Sequence, residues 1–164
     1  MRRTLVLIAL LLTAGGKLDR LSSTERDHYD ALKVYMTDKD RKAYLKLKTE
    51  DARNGWLKER DLWDRFYQYD TRMRDLILRG KVSPGWSVDQ VWMAWGKPHE
   101  RLAVAGRKAA KSERLIYRFE VDKEGQVFVW TPGSKVTHTA VSKYRQLVTV
   151  DDGVVAEIEK KSGW

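Results

Sequence analysis

Cysteine is absent from the 164 residues. Disulfides, thiolate metal sites and cysteine nucleophiles are thereby excluded. Histidine is scarce: His28, His99 and His138 stand far apart, with no pair at metal-ligand spacing. An HExxH motif, a glycine-rich phosphate loop and a GxSxG elbow are all missing. The expectation is therefore a protein with no catalytic residues, no cofactor and no metal. There are only three prolines, Pro84, Pro98 and Pro132, so breaks in the pattern are few and informative. No long apolar run occurs. The longest such stretch, residues 4–14, falls well short of the ~20 residues that a membrane-spanning helix needs.

Charge and aromatic rings are plentiful. The chain carries 32 basic and 23 acidic residues, a net charge of +9. The excess is spread out: residues 17–80 hold 16 basic and 13 acidic, and residues 81–164 hold 14 and 10. Interspersed charge of this kind is read as a solvated surface, with attraction to anionic lipid, cell-wall polymer or an acidic partner as the functional alternative. No nucleic-acid motif accompanies it. Seven Trp, seven Tyr and three Phe supply large apolar surface, and 42% hydrophobic content suffices for a real core.

The N-terminus reads as an export leader over residues 1–16. Arg2 and Arg3 precede the apolar stretch, and small residues Ala14, Gly15 and Gly16 come after it. Leu12-Thr13-Ala14 also has the spelling of a bacterial lipobox, but Gly15 stands where the lipidated cysteine would be. The two readings are an ordinary secreted protein and a lipoprotein-like sequence without its anchor residue.

Residues 17–80 read as a helical region. Ser22 with Glu25 spells a capping box, with Tyr29, Leu32 and Met36 beyond it. Thr37 opens a second helix with Tyr44, Leu45 and Leu47. Thr49 opens a third, long one carrying Ala52, Trp56, Trp63, Phe66 and Tyr67 as one stripe, and Thr71 opens a fourth that Gly80 closes. The stripe is read as core rather than as a binding groove. Gly55, inside the third helix, marks a candidate close helix crossing. The charged run 58–61 with Asp64 and Arg65 reads as a solvated face, not as paired catalytic carboxylates.

Residues 84–98 join this helical region to the strand-patterned C-terminal half. Ser87 and Gln90 form a capping box, Val88, Val91, Trp92 and Trp95 share a face, Gly96 sits where a left-handed cap belongs, and Pro98 forbids continuation. Capping does not account for Trp86, which is expected at the surface. Residues 81–164 read as an α+β domain in which this short helix packs on an antiparallel meander of three to five strands. Strands are expected over 99–105, 114–121, 126–130, 136–150 and 154–158, with a hairpin turn at Asp151-Asp152-Gly153. The overall fold class is α+β, N-terminal helices before the capped helix and sheet. Arg101, Arg107, Lys108, Lys111 and Arg114 in or beside the loop 106–113 form a candidate contact for anionic partners.

Gly85, Trp86, Ser87, Val91 and Trp95-Gly96-Lys97-Pro98 resemble the signature of the SmpA/OmlA family, which includes the small lipoprotein of the outer-membrane β-barrel assembly machinery. The resemblance implies helices on a three-stranded antiparallel sheet and a place at the outer membrane. Gly85-Trp86-Ser87-Val88-Asp89 is also similar to the GWxTD motif, with Val88 in place of Thr, and residues 36–53 and 63–66 look like that family's preceding segment. GWxTD proteins are exported bacterial proteins. The chain is accordingly expected to be an exported, periplasm-facing, non-catalytic scaffold or accessory subunit at the outer membrane with an envelope protein partner, and the basic loop adds a candidate contact with anionic lipid. The alternative is a periplasmic enzyme or cell-wall-binding module using the helix–sheet groove.

Overall fold

The computed structural model describes residues 16–131 and 139–164. The expected leader, apart from Gly16, lies outside the described residues, as does His138. The described chain forms two compact units, one closing at Leu78 and the other running over Arg79–Trp164.

The first unit is helical. Its α1 (Ser23–Leu32) and α2 (Asp38–Lys46) start at the expected boxes: Glu25 donates its N–H to Ser22 Oγ and accepts from Ser22 N–H, and Thr37 and Asp40 do the same. Each box satisfies two N–H groups that a helix start leaves without partners. Tyr29, Leu32, Met36 and Tyr44 are buried behind them.

The expected third helix is two. Here α3 (Glu50–Lys58) and α4 (Leu62–Tyr67) are separated by Asp61 at φ 56°, after tight turns from Arg60 N–H to Leu57 O and from Asp61 N–H to Lys58 O. Residues 58–61 offer no apolar side chain to hold a helix on a core, and Asp tolerates the left-handed conformation better than most residues. The break lets Leu57 and Leu62 both point inward. Trp56 and the group Trp63, Phe66 and Tyr67 therefore belong to different helices and not to one stripe. Ala52 is exposed, and Arg53, one position along, is buried instead. For α5 (Thr71–Leu78) the cap is Asp70, whose Oδ1 accepts from Met73 N–H at 2.7 Å, and not Thr71.

The buried Arg53 ties three helices. It pairs with Glu25 of α1, itself buried, and donates through Nη2 to Leu47 O at the end of α2. Burial would raise the Glu25 carboxyl, but hydrogen bonds from Ser22 and Arg53 outweigh it and hold the group below its ordinary value. Breaking such a pair from one side leaves a buried charge uncompensated, which costs about 3–5 kcal/mol.

The second unit is an antiparallel sheet of β1 (Glu100–Ala103), β2 (Ser112–Val121), β3 (Val127–Val129), β4 (Ser142–Asp151) and β5 (Val154–Ser162), with α6 (Val88–Trp95) on one face. The sheet is not a meander. Its order is β1-β2-β4-β5, with β3 also on β2. Residues 113–116 of β2 pair with β1 and residues 119–121 with β3, while β4 pairs with all ten residues of β2. Two short strands thus lie end to end along one edge of a long one, and the other edge is left whole for β4. The turn at 151–153 is as expected, with Asp152 at φ 47° and Gly153 at φ 84°.

Two glycines separate helix propensity from backbone strain. A Cβ on Gly55 would meet nothing within 4 Å, so no helix crosses there. Gly55→Ala should raise the unfolding free energy by about 1 kcal/mol in denaturant melts, through helix propensity alone. At Gly96 a Cβ also meets nothing, but φ is 79° with ψ −163°, outside the left-handed helical region and in territory nearly closed to other residues. Gly96→Val should lower stability by about 1–3 kcal/mol from strain, read as a drop in melting temperature.

Candidate functional site

The segment 84–98 is built into the sheet unit by its backbone pairing and its buried rings, with Pro84, Gly85 and Lys97 exposed. Ser87 Oγ accepts from Gln90 N–H, and Gln90 Oε1 accepts from Ser87 N–H at 2.7 Å. Gly85 N–H donates to Val155 O, Val155 N–H to Trp86 O and Val88 N–H to Gly153 O, so the chain entering α6 extends the sheet beyond the start of β5. Trp86 is 5% exposed, against the expectation of a surface position: it flanks this backbone pairing and is buried by it. Along α6, Val91 and Trp95 are buried as expected, Val88 and Trp92 are half-buried, and Met93 and Gln90 are buried in addition. Trp95 meets Tyr117 and Phe119 edge-on at 5.2 and 5.1 Å and donates Nε1–H to Gly80 O. Tyr117 Oη donates to Gly96 O at 2.9 Å, and Pro98 is buried. These residues hold helix to sheet, and their chemistry is that of a joint.

The basic loop is a different case. Arg101 binds Glu113 through both Nε and Nη2, and Arg107 binds Asp151 in the same forked manner. Arg107 and Ser112 hold the Asp151 carboxyl below its ordinary value. Asp152 accepts from Ala110 and Lys111 N–H and returns its own N–H to Lys111 O. The two acidic residues of the β4–β5 turn thus strap the loop in place. Two of the five predicted anion contacts, Arg101 and Arg107, are consumed internally. Arg114 is half-buried on β2, and Lys108 and Lys111 are exposed, with no ion pair among the described residues. They stand beside β1, whose four residues are all exposed, Leu102 among them at 49%.

The histidines do not converge. His99 lies 3.3 Å from Glu100 Oε1 and meets Trp130 edge-on at 4.9 Å. His28 lies in the helical unit, 1% exposed, boxed by Trp63, Phe66 and Tyr67, with Nε2 and Tyr67 Oη 2.6 Å apart. Sequence reasoning had nothing to single out His28, since the helix break that swings α4 rings around it is a tertiary event. The rings of Trp63, Phe66 and Tyr67 close this imidazole off from solvent. Tyr44, fully buried, has its phenol pushed up to about 12 by the same desolvation. Among the described residues no cluster of three or more His, Asp or Glu could hold a metal, and no helix is long and apolar enough to cross a membrane.

No protein-family model, curated protein or solved structure matches this chain.

Burial holds the His28 pKa below its ordinary 6.5, with Glu25 pulling it up and Arg74 pushing it further down. The folded state therefore prefers the neutral ring. The stability it carries is full above pH 6.5 and is lost as pH falls, because the unfolded chain takes up the proton first. His28→Leu should flatten the pH dependence of melting below pH 6.5 relative to the parent. An unchanged slope would show that His28 is not the titrating group.

Proposed function

We propose that this chain is an exported bacterial envelope protein that acts without catalysis, as a scaffold or accessory subunit at the outer membrane. The observation that carries the reading is the use of the 84–98 segment. Its residues, which resemble the SmpA/OmlA and GWxTD signatures, are engaged in joining α6 to the sheet. Such a motif specifies a rigid platform and leaves outward surfaces to vary with the partner. The wholly exposed β1 strand beside the strapped loop is the surface we assign to an envelope protein partner, with Lys108 and Lys111 supplying positive charge toward it or toward anionic lipid. The leader pattern at residues 1–16 supports export.

Fractionation of cells expressing the full chain and a form lacking residues 1–16, with crosslinking and affinity capture from the envelope, tests this reading. The full chain should be recovered with the outer membrane in a crosslinked complex that the leaderless form does not make. The paired change Lys108→Glu with Lys111→Glu should weaken that complex while leaving the melting temperature unchanged. Soluble, partner-free protein in the periplasm would overturn the proposal.

A further inference from the structure

The sheet face turned away from α6 carries a charge arrangement that the chain does not neutralise. Residues 115, 117 and 119 of β2 face α6, as the contacts of Trp95 establish, so Arg114, Ile116, Arg118 and Glu120 share the other face. Arg118 is directly opposite Arg145 of β4, and Arg145 is directly opposite Lys161 of β5. Three cations thus form one row across three strands. Directly opposed side chains have Cβ atoms about 4.5–5.5 Å apart, and like charges so placed repel.

Lys161 is answered by Glu159 on its own strand. The two arginines are not. Arg118 Nε is buried without a hydrogen bond, and its guanidinium lies against Trp130 and Trp164, 5.6 and 4.9 Å from ring centres that are themselves 6.0 Å apart. Arg145 Nε donates to Gly163 O at 3.1 Å. Neither guanidinium makes an ion pair among the described residues. Glu120, in the next row, faces Lys143 at 3.6 Å, and its Oε2 is buried without a partner. Lys143 Nζ also lies 4.2 Å from the Trp164 ring. Residues 1–15 and 132–138 contain neither Asp nor Glu, so no side-chain carboxylate from those segments can answer the pair.

We propose that Arg118 and Arg145, with Lys143 beside them, form a binding site for a phosphate group. Their juxtaposition is pinned by the ten-residue register of β2 with β4 and by the pair of indoles against which Arg118 rests. A carboxylate offers two oxygens and one charge. Two guanidinium forks and an ammonium call for an oxyanion with more acceptors and more charge, which is phosphate. The phosphate belongs either to a free phosphorylated solute or to the headgroup of an anionic lipid. The site stands apart from the envelope reading, because purified protein and inorganic phosphate suffice to test it.

The test is a titration of the full chain with inorganic phosphate at constant ionic strength, against chloride, read by tryptophan fluorescence and by melting temperature. A second arm measures co-sedimentation with phosphatidylglycerol vesicles against phosphatidylcholine vesicles. Phosphate should quench saturably and raise the melting temperature, and Arg145→Gln should weaken binding by about tenfold or more. Arg145→Lys keeps the charge but loses the fork, and should fall between. Arg145→Gln removes the repulsion but also the hydrogen bond to Gly163 O, so the discriminating readout is the phosphate-dependent rise in melting temperature, which the parent should show and the variant should not. Glu120→Gln should tighten binding by removing the neighbouring negative charge. Arg145-dependent binding of vesicles alone would assign the site to a lipid headgroup, and binding of inorganic phosphate alone to a soluble ligand. If neither phosphate nor vesicles distinguish the parent from Arg145→Gln, the site does not exist.

Discussion

The sheet unit depends on the satisfaction of one strand, β2. A ten-residue strand with both edges inside the sheet has backbone donors and acceptors on two sides, and each must find a partner. β4 answers one side over the full length, and β1 and β3 divide the other. The rest of the unit is arranged around that core strand. Its α6-facing residues, Leu115, Tyr117 and Phe119, are the floor on which Trp95 rests, and its Tyr117 hydroxyl holds the end of the helix through Gly96. Its opposite face brings Arg118 against Arg145. A single register therefore sets both the packed face and the charged one.

The helical unit has a corresponding centre in Arg53. Short helices of six to ten residues have little stability of their own. They are held by burial of Leu32, Tyr44, Leu57, Phe66 and Ile77, and by a guanidinium that reaches the start of α1 and the end of α2 at once. Capping boxes fix where α1 and α2 begin, while the ion pair fixes how α1 and α3 meet. His28 completes the same interior, neutral by burial and surrounded by rings. Polar groups here serve packing specificity, and the surface carries most of the charge.

Local signals are legible to the degree that they are local. Ser22, Thr37, Thr49 and Ser87 cap helices because a hydroxyl can reach an N–H three residues on with no help from the rest of the chain. The turn at Asp151-Asp152-Gly153 is similarly self-contained. The break at Asp61 is harder to read, because the helical spacing of residues 50–67 continues across the charged run 58–61, and only the packed interior shows that Leu57 and Leu62 are both buried once the helix ends between them. Trp86 escapes a sequence reading for a related reason. Its burial arises from pairing of residues 85–88 with residues 153–155, a contact no local pattern announces. In the basic loop the charges are visible, but their pairing with Glu113 and Asp151 depends on strand register.

By itself, then, the amino-acid order determined the α+β class, the capped start and glycine stop of α6, the strands near 114–121 and 126–130, and the exclusion of thiol chemistry. Those rest on interactions spanning a few residues, or on the absence of a residue type. Only the tertiary structure decided which strands neighbour which, that His28 and Trp86 are interior, and that two of the basic residues beside the loop are spent on neighbouring carboxylates. It also decided that Arg118 and Arg145 stand face to face. Sequence distance does not bound spatial distance once β2 and β4 have paired, and electrostatic chemistry is governed by the spatial one.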